Sequence, residues 1–377
     1  MGPLRGVKII ELAGIGPGPY ACMLLADLGA DILRLERGDP DATSEPTWET
    51  LNRGRASVAL DLKSRAGRDL VLELCEQADV LIEGFRPGVA ERLGVGPEAC
   101  QARNARLVYG RMTGYGQSGP LAQRAGHDIN YVAVSGALWP IGRAGEPPVV
   151  PLNLVGDFGG GSLFLVMGVL AALIEASRSG QGQVVDAAMV DGSASLTAML
   201  HSFLNAGFWN EERGANILDS GAPFYDVYET SDGGFVSVGA IEAQFYAALL
   251  EGLSLSAEEL PAQFDRSRWP EVKRRFATIF LSKTRDEWTA VFANVDACVT
   301  PVLSPREAAR HPYNTERSVF TLDGDRAEPR PAPRFSRTTS ETSRPATKAG
   351  AGTREGLRAW GFSEERLAQL RESGAFG

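Results

Sequence analysis

Cysteine is scarce and scattered: Cys22, Cys75, Cys100 and Cys298 are the four in 377 residues, and no two form a CxxC pair. That pattern leaves no zinc knuckle and no disulfide framework. It fits a reducing compartment, so a cytoplasmic location is expected. Positive charge is also in short supply. With 38 Lys and Arg against 47 Asp and Glu, the net charge of −9 argues against a nucleic-acid or anionic-membrane partner. The opening residues, MGPLRGVKIIELAG, lack the apolar core and small-residue cleavage site of a secretory signal. The longest apolar stretch, 162–175, is short for a bilayer and reads as a core helix, so no membrane span is expected. Histidine occurs three times, at 127, 201 and 311. No internal repeat is present.

What the chain does have is an alternation of short β-type runs with helical ones. Val7–Leu12, Asp31–Glu36, Ser57–Leu62, Val80–Glu83 and Leu107–Met112 read as strands. Pro19–Leu28 and Arg65–Glu76 read as the helices between them, the second with Ser64 placed as its N-cap. Strands separated by helices predict an α/β fold with a parallel sheet covered on both faces. The long helix after Gly161, a strand at Gln183–Asp186 and an apolar helix over Ser193–Leu204 continue the pattern. From about Gly207 the text becomes turn-rich, which predicts a second, smaller domain to about Thr315. Residues 322–352, rich in Pro, Arg, Ser and Thr, read as an extended surface segment before a helical tail.

Several motifs invite chemistry, and each has an ordinary structural alternative. The stretch from Ile9 to Arg37 imitates a dinucleotide-binding unit, with Gly14, Gly16 and Gly18 after a strand and Glu36 at the ribose offset. Pro19 stands where the third glycine should be, which disfavours a nicotinamide. His127 follows the glycine-rich TGYGQSGP, in the kind of loop where α/β sheets place ligands, but a loop histidine can be purely structural. Asp157 opens VGDFGGGS at the foot of the long helix and could be a cap. Asn153 precedes it in an apolar approach, and Gly159–Gly161 would let a ligand come near the backbone. The DFG is not a kinase motif, since neither HRD nor VAIK accompanies it, and no GK[ST] closes the glycines into a P-loop. Glu242, in GAIEAQFY, could be an N-terminal helix acid.

Taken together, GPLRGVKIIELAGIGPGPYACMLLADLGADILRLER, DVLIEGFRPGVAERLG, RMTGYGQSGP, AGHDINY, PLNLVGDFGGGS and GQGQVVDAAMVDGSA resemble the family III CoA-transferase type, and more narrowly its α-methylacyl-CoA racemase branch. The resemblance implies a Rossmann-like large domain (1–205), a linker and small α+β domain (206–315), and an extended return segment with a helical tail that packs on the large domain (316–377). It implies an interlocked homodimer with shared active sites. It also implies inversion of the carbon next to a thioester, with His127 and Asp157 as acid/bases on opposite faces and Glu242, from the partner chain, orienting the histidine. Positions matching the CoA- and substrate-contacting segments are Arg37, Leu60, Asp61, Leu62, Lys63, Gly84, Phe85, Arg86, Arg92, Gly126, Asp128, Ile129, Asn130, Tyr131 and, beside Asp157, Asn153. The implied substrate is an acyl-CoA thioester, and no metal or separate cofactor is called for. Backbone N–H groups at the start of the helix near Asp157 are the expected donors to an enolate oxygen. The alternative on the same fold is a CoA transferase in which Asp157 attacks the thioester and forms an acyl anhydride.

Overall fold

The structure is a computed structural model that describes residues 2–43, 45–340 and 344–376. The chain divides into two compact units. Met1–Ser135, Leu152–Leu196 and Phe320–Gly377 form the first; Gly136–Pro151 and Thr197–Val319 form the second.

The first unit is built on six parallel strands: β1 (Lys8–Leu12), β2 (Asp31–Glu36), β3 (Ala56–Ala59), β4 (Val80–Glu83), β5 (Val108–Thr113) and β6 (Val184–Ala188). Their order is β3-β2-β1-β4-β5-β6, so the winding reverses between β1 and β4. In a doubly wound sheet that reversal opens a crevice at the carboxyl ends of the two strands. Between the strands run α1 (Pro17–Asp27), α2 (Arg65–Cys75), α3 (Val89–Arg92), α4 (Pro97–Gln101), α5 (Asp128–Val134) and α6 (Leu163–Ser179), and α7 (Met189–Leu196) follows β6. Ser64 is the N-cap of α2, its hydroxyl accepting the Gly67 N–H at 2.9 Å.

Alternate strand residues point to opposite faces, and here both faces are buried. Ile10, Leu12, Leu33, Leu35, Leu81 and Tyr109 pack with the apolar side of α2. Ile9, Ile32, Val80, Ile82, Val108 and Met112 pack with α1 and α6.

The second unit contains α8 (Ala198–Asn205) and an antiparallel sheet of β7 (Tyr225–Glu229), β8 (Phe235–Gly239) and β9 (Val299–Pro301). α9 (Ala243–Gly252), α10 (Trp269–Phe280) and α11 (Arg285–Phe292) cover that sheet, with Phe224, Trp269, Phe276 and Trp288 at the centre. The short α12 (Pro305–Arg310) and α13 (Pro312–Glu316) follow. The chain then rejoins the first unit through a hairpin, β10 (Phe320–Asp323) and β11 (Arg326–Pro329), and ends in α14 (Thr353–Ala359) and α15 (Glu364–Glu372).

Four expectations need correction. The single helix expected over 193–204 is two, α7 and α8, broken at Thr197 where one unit gives way to the other. Residues 136–151, expected in the large domain, belong to the second unit. There Arg213 lies 4.9 Å over the Trp139 ring and donates to the Trp139 carbonyl at 2.7 Å, while the indole N–H reaches the Glu211 carbonyl at 2.9 Å. The segment expected to be extended over 322–352 contains most of the β10–β11 hairpin, turned at Gly324 with φ +57°; its residues 341–343 lie outside the described part. Finally, the apolar helix starts earlier than expected. A π-helical turn over Leu154–Ser162 runs straight into α6, giving 26 helical residues, long and apolar enough to cross a membrane by length and composition. Leu165, Val169, Ala172 and Ala176 of this helix are buried under the sheet, whereas Leu163, Met167 and Ile174 are exposed.

Candidate active site

The crevice between β1 and β4 is a cleft of about 520 Å³. Its floor is charged and buried. Parallel register sets Glu11 of β1 opposite Arg34 of β2, and Glu83 of β4 opposite Arg111 of β5. Both acids line the cleft. Glu11, 1% exposed, pairs with Arg34 at 2.6 Å and with Arg55 at 3.2 Å. The two arginines in turn hold the glycine-rich turn: Arg34 donates to the Gly14 carbonyl at 3.3 Å and Arg55 to the Pro19 carbonyl at 2.7 Å. Glu83 accepts from Arg111 at 3.1 Å and from the Phe85 N–H at 2.6 Å, which fixes the loop after β4; burial pushes its carboxyl up. Sequence reasoning missed these two pairs. Their only sequence signal is a charge inside an otherwise apolar strand.

The glycine turn faces Asp157. Gly16 has φ +69°, and a Cβ there would lie 3.3 Å from Asp157 Oδ2. The backbone conformation therefore favours glycine, and a side chain there would press on the Asp157 carboxylate. Gly16→Ala is expected to lower turnover about tenfold by displacing the carboxylate. Steady-state kinetics on a variant whose fold is verified by circular dichroism would measure it, and an unchanged kcat would refute the contact.

Asp157 itself sits in the π-helical turn, a feature frequent at functional positions. The capping reading does not hold: Asn153 is the N-cap residue, and Asp157 comes four residues later with its Oδ2 receiving the Asn153 Nδ2–H at 3.3 Å. The Ser162 hydroxyl lies 2.7 Å from the Pro17 carbonyl and 2.9 Å from the Asp157 carbonyl, tying this turn to the glycine loop. Burial raises the Asp157 carboxyl above its ordinary value. The Asn153 hydrogen bond works against that shift, the charge of Asp128 adds to it, and His127 opposes it.

The glycines after Asp157 serve packing rather than ligand approach. A Cβ at Gly160 would lie 2.6 Å from the Ser193 backbone nitrogen, and one at Gly192 would meet the Gly160 carbonyl at 1.8 Å. The π-helical turn and α7 thus touch backbone to backbone, and none of Gly159–Gly161 lines the cleft.

His127 enters the cleft from the other side, as the exposed N-cap of α5 with φ −130° and ψ 175°. Its N–H donates to Asn130 Oδ1 at 3.0 Å, and the Asn130 N–H returns to the His127 carbonyl at 2.8 Å. Tyr131 packs edge-on against Tyr115, donates to the Gly126 carbonyl and has its phenol pushed up to about 12 by burial. A Cβ on Gly114 or Gly126 would collide with its ring.

The sequence profile of CoA-transferase family III matches residues 4–353. The chain belongs to that family. It is 50% identical over 369 residues to alpha-methylacyl-CoA racemase from Mus musculus, covering 97% of this chain and 96% of that one. Identity to alpha-methylacyl-CoA racemase from Homo sapiens is 46% over 369 residues, with the same coverage of 97% and 96%. Among solved structures, a CAIB/BAIF family protein from Brucella suis superposes with a TM-score of 0.80 at 26% identity, over 95% of this chain and 99% of that one. The Rossmann-like parallel sheet with a smaller mixed unit is therefore the fold of CoA-transferase family III.

Of the positions that the family resemblance singled out, Gly84, Phe85, Arg86, Gly126, His127, Tyr131 and Asp157 line the cleft. Arg37, Lys63 and Arg92 are exposed outside it, and together with Arg86 they make no ion pair among the described residues. Leu60 and Leu62 pack into the core, while Asp61 accepts the Lys63 N–H at 2.9 Å and donates its own N–H to the Ala375 carbonyl at 3.0 Å. Ile129 and Asn130 are exposed on α5, and Asn153 holds Asp157. Asp128 is buried behind the cleft wall. Glu242 lies in the second unit, exposed, as the N-cap residue of α9; its side chain makes no capping hydrogen bond, and its place at the helix start agrees with the ordinary reading as an N-terminal helix acid. Among the described residues, no group of three His, Cys, Asp or Glu could hold a metal ion.

Proposed function

We propose that the chain is an α-methylacyl-CoA racemase, inverting the α-carbon of 2-methylacyl-CoA thioesters by 1,1-proton transfer. The observation that carries the reading is the presence of His127 and Asp157 in one cleft, contributed by separate segments. The relatives named alpha-methylacyl-CoA racemase, at 46–50% identity, support it. Inversion needs a proton removed from one face of the α-carbon and another delivered to the opposite face. Burial raises the Asp157 carboxyl above its ordinary value, which favours the protonated form that a proton donor needs. The reaction is redox-neutral, so the proposal calls for no cofactor beyond the CoA carried by the substrate. Arg37, Lys63, Arg86 and Arg92 supply guanidinium and ammonium groups suited to its phosphates.

The enolate oxygen requires donors already in place. The expected ones near Asp157 are occupied: its N–H goes to Asp128 Oδ2 at 2.6 Å, and that of Phe158 to the Asn153 carbonyl at 3.3 Å. The first-turn N–H groups of Asp128 and Ile129, beside His127, have no partner among the described residues. They take over this role in the proposal.

Glu242, supplied by a second copy of the chain, completes the proposal as the group that orients His127. The exposed apolar side chains Leu163, Met167 and Ile174 on one helix are compatible with such a homodimer.

Incubating one epimer of a 2-methylacyl-CoA with the protein in D2O tests the reading. Deuterium at the α-carbon together with loss of optical purity, with no acceptor acid present, is the expected result. If neither occurs, while an added carboxylic acid acquires CoA and hydroxylamine traps an enzyme-bound acyl group, the chain is a transferase with Asp157 as nucleophile.

A further inference from the structure

An acid in the first turn of a helix ordinarily faces solvent and the positive end of the helix dipole. Asp128, the first residue of α5, does neither in the ordinary way. It is 7% exposed and makes no ion pair among the described residues. Its Oδ2 accepts the main-chain N–H of Asp157 at 2.6 Å, and its Oδ1 is buried with no hydrogen-bond partner. Leaving a buried carboxylate half satisfied opposes folding. The packing nevertheless makes room for it: a Cβ on Gly156 would lie 2.6 Å from Oδ2 and 3.0 Å from Val132 Cγ2, so the close approach exists because residue 156 is glycine.

We infer that Asp128 is a positioning residue that joins the two proposed acid/bases into one rigid unit and keeps negative charge against Asp157. Its backbone is bonded directly to His127, and its side chain grips the main chain of Asp157, 29 residues away in sequence. The separation of two groups that must sit on opposite faces of one carbon is thus set by a single side chain rather than by two independent loops. The same carboxylate opposes ionisation of Asp157, adding to the effect of burial. Opposing groups are the Asn153 amide and His127, and Tyr131 also lies within electrostatic reach. Charges on the surrounding elements are committed elsewhere: Arg111 of β5 to Glu83 and Glu91, Asp27 of α1 to Arg53, and Asp186 of β6 to the Gln117 N–H; Asp191 of α7 is exposed.

The inference rests on the racemase reading for the word acid/base, so its test includes a measurement independent of turnover. In the full-length protein with 13C-labelled aspartate, the Asp157 carboxyl signal is assigned through Asp157→Asn and titrated by NMR. In Asp128→Asn that signal is expected to titrate at lower pH than in the wild type. For the epimer whose proton Asp157 removes, kcat should fall on the order of tenfold with KM within about twofold, and the acid limb of the pH profile should move to lower pH. Gly156→Ala, which keeps the charge but pushes the carboxylate off the Asp157 N–H, should lower kcat similarly, and it tests the geometry even if Asp128→Asn fails to fold. An Asp157 signal that titrates at the same pH in Asp128→Asn, or a wild-type kcat in Gly156→Ala, overturns the assignment. A wild type that does not racemise, with the titration still moved by Asp128→Asn, removes the proposed function and leaves the coupling of Asp128 to Asp157 standing.

Discussion

Replacing either His127 or Asp157 with alanine is expected to slow α-carbon inversion about a thousandfold, because each change removes one of two proton carriers and leaves no substitute on its face. The more discriminating outcome concerns exchange without inversion. With Asp157 gone, His127 still reaches the α-proton of the epimer that presents it to the histidine side. That epimer should pick up solvent deuterium and keep its configuration, since nothing delivers a proton to the other face. His127→Ala should show the mirror behaviour with the opposite epimer. Incubation of each pure epimer in D2O, followed by chiral analysis and mass spectrometry, gives four results that must form this crossed pattern. If both variants exchange the same epimer, the assignment of one group to each face is wrong. If Asp157→Ala retains inversion near the wild-type rate, the carboxyl has no part in proton transfer.

The crossed pattern depends on geometry that the sequence disclosed only in part. Strands such as Asp31–Glu36 and Val80–Glu83 were legible because apolar β-rich runs bounded by helical stretches leave little choice of structure, and both stand as expected. Ser64 was legible as a cap for the same local reason. His127 and Asp157 could be singled out through motif resemblance, but nothing local says that they share a cleft. The hydrogen bond from the Asp157 N–H to Asp128 is a long-range contact, and so is the ladder register that sets Glu11 against Arg34. Glycine was the most misleading residue. The triplet Gly159–Gly161 looks like a ligand cradle, yet it is consumed by contact with α7, whereas Gly16, which reads as part of a dinucleotide turn, is the one that makes room beside Asp157. A glycine records that something comes close; only the fold tells whether that is a ligand or another stretch of backbone.

The helical tail carries the other large expected effect, and Trp360→Ala is the variant that tests it. The family profile ends at residue 353, where α14 begins, and no residue beyond it lines the cleft. A tail outside the shared pattern would ordinarily be dispensable. Here it closes one face of the parallel sheet. Leu357, Trp360, Phe362, Leu367, Leu370 and Phe376 pack with Leu70, Leu74 and Tyr109 in a single core, and the Lys8 ammonium lies 5.0 Å from the centre of the Trp360 ring. Trp360 is 2% exposed, so its loss removes a large side chain from this core. Trp360→Ala is expected to destabilise the first unit by about 3–5 kcal/mol, seen as a lower urea midpoint at unchanged slope. At a temperature where the variant is still folded, its kcat should stay within about twofold of the wild type, because the cleft lies at the carboxyl ends of β1 and β4 and takes nothing from the tail. A loss below about 1 kcal/mol would mean that the tail merely rests on the sheet. Preserved stability with a collapsed kcat would instead place the tail in the chemistry. The expected combination, a large effect on unfolding and little on turnover, assigns α14 and α15 to the core that keeps the β1–β4 crevice open.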